Sequence, residues 1–413
     1  MKVTYLDHME LSGPYREFHL AWPELPDRDA SPSDVALTFN QRNHLAAFQS
    51  TGRSTWIGGM VRLPGDVVTD GDVAALVRSL VDGADALRTV GTAASGRQRA
   101  YPPGVLVVEP GESLEAPPAD LGARIDRQCQ PGPEPALFFA RVGGSLVFAT
   151  DHFHADMISV DLLADRVRGA AAGEIGFLET LEDDSATGDA SAGGGDALAV
   201  WRRFFEVTGG GIPGFPVDLG VGPAGPVPPV HDVRRIVDAV DMTGDLESRT
   251  FAVLLSALAD AMEPLTGTPE FPVIIPVHTR GPRSDPRRHT VGWMVSNAPV
   301  IARAGDPDAT AAWLGDAVTV AGLPLETMVG SLRPALPEGT VPMVSYVDFR
   351  KQGPPEPETM YFSSVSPTDT VQFWFSRRSS GIDLRTKYPD TPQAREAVGR
   401  ILSTLRSRVT GTA

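Results

Sequence analysis

From Leu181 to Gly195 the chain reads LEDDSATGDASAGGG, a run of acidic, small and glycine residues with almost nothing to bury. Such a run cannot offset the entropy of ordering itself, so it reads as a surface linker. A helical pattern at Asp196–Val207 follows, then a Gly/Pro-rich connection from Gly209 to Pro229. A chain interrupted twice near its middle does not build one continuous core. With 413 residues it has material for two, since single cores stop growing well below that length. The expected organisation is an N-terminal lobe over 1–175, a linker, helix and connection over 176–230, and a C-terminal lobe over 231–413.

Both halves read as alternating strands and helices. In the first, Gly71–Thr89 carries Val73, Leu76, Val77, Leu80, Val81 and Leu87 at helical spacing. An extended segment at Gly104–Glu109 precedes a hairpin, Ala136–Val142 and Ser145–Thr150 around Gly143-Gly144. The second strand runs into Asp151-His152-Phe153-His154-Ala155-Asp156, and a helical pattern follows at Ile158–Arg168. The second half, from about Val230, offers helices at Asp245–Leu265 and Gln393–Val409. Its strands are predicted at Pro272–Pro276, Val341–Phe349 and Val371–Ser376.

Composition removes several function classes. A formal net charge of −16 argues against nucleic acid as a partner, because phosphate binding needs a positive surface. No apolar run approaches the length of a spanning helix, and the N-terminus lacks an apolar signal core, so a cytoplasmic location is expected. The single cysteine, Cys129, excludes an internal disulfide or a cysteine-based metal cluster. No metal site is expected. Positive charge is concentrated at Arg280, Arg283, Arg287 and Arg288, which reads equally well as a solvated loop or as an anion contact. No GxxxxGK[ST], HExxH or GxSxG signature occurs. Gly209–Gly214 matches GxGxxG, but it follows a helix and contains Pro213, which discards a dinucleotide reading.

The segment from Asp151 to Asp156 remains. On its own, HxxxD is a weak signal, and a polar turn would serve as well. Its place between a strand and a helix makes it informative, because a rigid scaffold there aims a short loop. A neutral imidazole in that loop can take a proton from a hydroxyl or amine near pH 7. Ser159 reads as a helix N-cap.

At these residues the chain resembles the HxxxD acyltransferase and condensation-domain superfamily. That group includes the condensation domains of nonribosomal peptide synthetases, chloramphenicol acetyltransferase and the polyketide-associated acyltransferases. Further likenesses follow in order. Phe39-Asn40-Gln41-Arg42-Asn43-His44-Leu45 resembles an N-terminal stretch of that family, and Ala86-Leu87-Arg88-Thr89 the end of its first helix. Phe215–Gly220, Pro276–Gly281, Val291–Asn297 and Val344–Arg350 come later. The resemblance implies that His152 is the catalytic base, with Asp156 its motif partner, and that Arg280 supports the site by pairing with Asp156. It also implies that Asp151, Met157, Trp293 and Asn297 line a substrate tunnel. For Trp293, Asn297 and Asp348, core or interface packing reads ahead of catalysis. The chain departs from the motif at Asp151, in place of a histidine, and at Met157, in place of a glycine.

The fold so implied is α/β, with two chloramphenicol-acetyltransferase-like lobes. Each lobe is a mixed sheet flanked by helices, with a tunnel between them. The function implied is a free-standing acyltransferase, moving an acyl group from a pantetheine thioester to a hydroxyl or amine in secondary-metabolite or lipid biosynthesis. The thioester would be carried on an acyl- or peptidyl-carrier protein or on coenzyme A. No permanently bound cofactor is needed, because the pantetheine arm arrives with the donor, and a monomer is expected. The alternative is a catalytically silent module that binds a carrier protein or biosynthetic partner, motivated by Met157.

Overall fold

The computed structural model describes residues 2–24, 35–92, 94–187, 194–282, 284–337, 339–352 and 359–411. The chain forms two compact units, and neither is continuous in sequence. The first comprises Met1–Asp189, Arg280–Met294 and Pro357–Val365; the second comprises Ala190–Thr279, Val295–Glu356 and Ser366–Ala413. The division expected at 175 and 231 is therefore corrected. Two short stretches of the later chain belong to the first unit, because long-range pairing rather than proximity in sequence places them.

The first unit is built on a seven-stranded sheet. Its order is Lys2–Val3, Met360–Ser363, Trp56–Arg62, Ser145–Asp151, Leu137–Val142, Tyr15–Ala21 and Val107–Leu114. The predicted hairpin lies near its centre, turning at Gly143, whose φ of 55° suits glycine. Nearly every residue of the hairpin strands is buried, so both sheet faces are covered. On one face Phe138, Ala140, Val147 and Ala149 pack with Leu121, Ile125 and Cys129, from the helix Leu121–Gln128 and the residue that caps it. Cys129 is thus a small apolar filler, and burial pushes its thiol up, away from the reactive thiolate.

Local chemistry explains the helix boundaries. Thr38 and Gln41 form a capping box that starts the helix Phe39–Thr51, and Gly52 in the left-handed region ends it. Thr69 and Asp72 do the same for Asp70–Asp82. That helix stops at Gly83, short of the predicted Thr89; Asp85–Arg88 is a 3-10 turn leading into the strand Thr89–Thr92. The predicted linker is also corrected in part, since Phe177–Thr187 is helical. Buried Phe177 and Leu178, with Leu181 packed beside them, anchor its first turn. Asp85 accepts from the backbone N–H groups of both Phe177 and Leu178, which would otherwise be orphaned. Residues 188–193 of the predicted linker lie outside the described residues.

The second unit holds a four-stranded sheet, Pro229–Asp238, Gly381–Pro389, Gln372–Arg378 and Val344–Asp348. Beside it is a two-stranded sheet, Glu270–His278 with Val295–Arg303. The helix Pro392–Thr410 buries Ala394, Val398, Ile401 and Leu405 along one stripe. The helix predicted over Asp245–Leu265 is two, Gly244–Ser248 and Thr250–Thr266, broken at Arg249. Asp348 is buried in this unit and holds Arg350 with both oxygens. Among the described residues no helix is long and apolar enough to cross a membrane.

Candidate active site

The strand Ser145–Asp151 ends opposite Trp56, and the chain then turns through the motif into the helix Met157–Val167. The turn is pinned along its length. The His152 N–H donates to the Thr55 carbonyl at 2.9 Å, and the Phe153 carbonyl accepts from buried Gln41 at 3.1 Å. The Phe153 ring fills a pocket formed with Leu37 and Leu45.

Asp156 is the N-cap of the helix and the anchor of the loop. Its Oδ1 accepts from the Ser159 N–H and hydroxyl, both at 2.9 Å. Ser159 is therefore the residue capped, a correction to its reading as the cap. Arg280 grips the same carboxylate with two parallel bonds, Nη1 to Oδ2 at 2.6 Å and Nη2 to Oδ1 at 2.9 Å. The remaining donors of Arg280 reach the carbonyls of Thr290 and Gly292, and the Met294 N–H closes on Oδ2 at 3.1 Å. Gly292 has no room for a side chain: a Cβ would lie 2.3 Å from the Phe177 ring. Burial alone would raise the Asp156 carboxyl, but Arg280 and Ser159 together hold it below its ordinary value. With its oxygens so engaged and Arg280 fully buried, Asp156 positions the loop and does not carry protons. The Arg280 expectation thus coincides with the geometry.

His152 stands on this anchored loop, half-buried. Its ring lies on Trp293, with centroids 4.2 Å apart and planes tilted by 34°. Nδ1 is buried with no hydrogen-bond partner among the described residues. Burial first, and the neighbouring His44 second, hold the imidazole below its ordinary proton affinity, so it is neutral near pH 7. His154 is the opposite case. Its Nδ1–H donates to the Ala86 carbonyl at 2.8 Å and Nε2 accepts from the Ala136 N–H at 3.1 Å. That side chain is a buried brace.

Asp151 does not line a channel. It is fully buried, and its carboxylate accepts from the Phe153 N–H, the Ser54 hydroxyl and His44 Nε2. The tunnel expectation for it is corrected. Met157 is half-buried at the first helical position. Asn297 lies in the second unit, opposite Pro276 on the two-stranded sheet, and so is not part of the unit that carries His152. Of the expected arginine concentration, Arg280 is engaged by Asp156, and Arg287 by Asp285 and Asp184. Arg283 lies outside the described residues. Sequence reasoning gave no role to His44 and did not notice Ser54. The available signal was Asp151 itself, since a carboxylate at a buried strand end needs donors.

No protein-family model matches the chain. A stretch of 235 residues, 51% of the chain, is 26% identical to the acyltransferase PapA3 of Mycobacterium tuberculosis. The match covers 48% of that protein, so the chain spans about half the length of the curated relative. Among solved structures, the PapA2 acyl transferase superposes over the whole of both chains with a TM-score of 0.77 at 15% identity. The first condensation domain of the CDA synthetase gives 0.67 at 17%, over 92% of this chain and 97% of that one. The starter condensation domain of rhizomide synthetase, solved with C8-CoA and Leu-SNAC, gives 0.66 at 15%, over 91% and 94%. The chain thus shares the fold of the PapA2 acyl transferase and of these condensation domains.

Proposed function

We propose that the chain is an acyltransferase in which His152 is the general base. The observation that carries this reading is a neutral, half-buried imidazole on a loop clamped by the Asp156–Arg280 pair. Nδ1 is buried with no hydrogen-bond partner among the described residues, so this reading places the base at Nε2. Nε2 takes the proton of an acceptor hydroxyl or amine as its oxygen or nitrogen attacks the thioester carbonyl. The C–S bond then breaks, and the thiolate recovers that proton from His152. The products are an ester or amide and a free thiol. Trp293 fixes the plane of the ring by stacking, so the base is oriented before substrate arrives.

The donor in this reading is an acyl pantetheine thioester, on coenzyme A or on a carrier protein. The C8-CoA and Leu-SNAC bound by the rhizomide synthetase domain favour a thioester donor and an amine acceptor of that kind. A cytoplasmic monomer in secondary-metabolite or lipid biosynthesis belongs to the same reading. Met157, half-buried one residue after Asp156, motivates the second reading of a silent binding module.

Single-turnover assays with octanoyl-CoA and with octanoyl-loaded carrier protein, against panels of alcohols and amines, test both readings. Wild type should form ester or amide, and His152→Ala should lose about 10²–10⁴-fold at unchanged melting temperature. Retention of activity within a few-fold would remove His152 as the base. Binding of the loaded carrier without any transfer would favour the silent module.

A further inference from the structure

Beside His152 lies a second imidazole, with one edge fully built and the other left open. His44, on the helix Phe39–Thr51, places Nε2 2.7 Å from Asp151 Oδ1 and 3.0 Å from the Ser54 hydroxyl oxygen. The Ser54 hydroxyl gives its one proton to Asp151 Oδ2, so towards His44 its oxygen can only accept. Nε2 therefore carries a hydrogen, and the ring needs no charge to satisfy either neighbour. Both neighbours share that nitrogen, so this is not the relay of a serine nucleophile, which needs the acid and the hydroxyl on opposite ring nitrogens. The neutral ring is left with a lone pair on Nδ1, which no hydrogen bond engages among the described residues. The side chain is nevertheless only 8% exposed. Polar groups so far withdrawn from solvent are as a rule hydrogen-bonded, so this lone pair calls for a donor from outside the chain.

The place of the ring says which donor. His44 meets Trp293 edge-on at 5.7 Å, and Trp293 is the ring on which His152 lies at 4.2 Å. All five residues, His44, Ser54, Asp151, His152 and Trp293, belong to the first unit. One tryptophan thus has both imidazoles for neighbours, which puts the open lone pair within one substrate molecule's length of the base. We propose that His44 Nδ1 accepts a hydrogen bond from a second O–H or N–H of the bound substrate, other than the one His152 deprotonates, and so selects substrates that carry one. This rests on the reading of His152 as the base and adds a specificity to it. Asp151 and Ser54 touch no substrate in this account; they hold the tautomer that makes His44 an acceptor. A ring so locked rewards a donor at Nδ1 and rejects a bare oxygen there. Two parts of the reacting pair carry such a donor: a hydroxyl beside the nucleophile, as in a vicinal diol or amino alcohol, and the amides of a pantetheine thioester.

The experiment pairs substrates that differ in that group: octane-1,2-diol against octan-1-ol as acceptors, and octanoyl-CoA against S-ethyl octanethioate, which has no amide, as donors. His44→Gln keeps an N–H for Asp151 and Ser54 but has no acceptor where Nδ1 lies. The wild-type preference in kcat/KM for the first member of at least one pair should shrink about fivefold or more in this variant, with the second member little changed. Loss in the diol pair assigns the donor to the acceptor molecule, and loss in the thioester pair assigns it to the pantetheine arm. A variant that slows every substrate alike, or alters neither preference, overturns the proposal. Nitrogen-15 spectra of histidine-labelled wild type, assigned with single His→Gln variants, need no turnover. At about pH 9, well above the ordinary imidazole range, His44 should carry its hydrogen on Nε2 and none on Nδ1. The Nδ1 signal should move when octane-1,2-diol or coenzyme A is added. A hydrogen on Nδ1, or a signal indifferent to both ligands, overturns the proposal, and decides it where His44→Gln fails to fold. If no acyl transfer is found with any pair, the reading of His152 fails while these spectra still judge His44, so the two failures are told apart.

Discussion

Two histidines, two residues apart, have opposite surroundings, and the sequence made only one of them a candidate. His152 could be read from its place between a strand and a helix, because that position aims a side chain outward from a scaffold. His154 could not, since its partners are the backbone groups of Ala86 and Ala136, which lie 68 and 18 residues away and carry no side-chain signature. The geometry gives His154→Ala a cost in stability. Removing the ring orphans the buried Ala136 N–H, while the Ala86 carbonyl keeps the Thr89 hydroxyl, a loss of about 2–3 kcal/mol. The melting temperature should fall by about 5–10 °C, while the folded protein keeps its turnover. Thermal melts beside initial rates check this. A large rate loss at unchanged melting temperature would put His154 in the chemistry.

The helix Met157–Val167 shows how an element can be right in outline and still hide its chemistry. Its span was readable from the apolar spacing after the motif, but the cap was expected at Ser159 and is Asp156. Its interior acid was not readable. Asp161 is buried, neither carboxylate oxygen has a partner among the described residues, and the carboxyl is pushed up to about 8, by burial first and Asp165 second. The folded chain therefore holds a proton that the unfolded chain, with an ordinary carboxyl near 4, has already released. Stability from this group is complete below about pH 4 and is lost as pH rises through about 8. Asp161→Asn stays neutral throughout, so its advantage over wild type should grow between pH 5 and pH 8. Urea midpoints at the two pH values measure it, and an unchanged difference would mean that Asp161 is solvated. Elsewhere the element boundaries failed where local breakers won: Gly83 ended a helix early, and Arg249 split another. The acidic run after Leu181 failed in the other direction, because its helix is anchored by Phe177 and Leu178, just before the run begins.

At the scale of the molecule, two units were readable from the break in composition, but the membership of the first was not. Its seven-stranded sheet inserts Met360–Ser363 between Lys2–Val3 and Trp56–Arg62, whose paired residues lie 300 or more positions earlier in the chain. No composition or periodicity encodes a pairing at that separation. The same holds for Arg280, whose partner Asp156 is 124 residues earlier. The consequence is a chain whose first unit cannot be completed until most of the second has been made. A protein ended at residue 189 lacks both segments. Asp156 would be buried without its cation, at a cost of about 3–5 kcal/mol, and Trp56–Arg62 would become an open sheet edge. A unit of this size is stable by only about 5–15 kcal/mol, so both losses together should exceed what it can bear. The truncated chain should retain far-ultraviolet helix and strand signal, lose its near-ultraviolet aromatic signal, bind ANS, and melt without a cooperative transition. A single sharp transition with the native near-ultraviolet spectrum would show that residues 1–189 fold on their own and that the two later segments are accessories to the site.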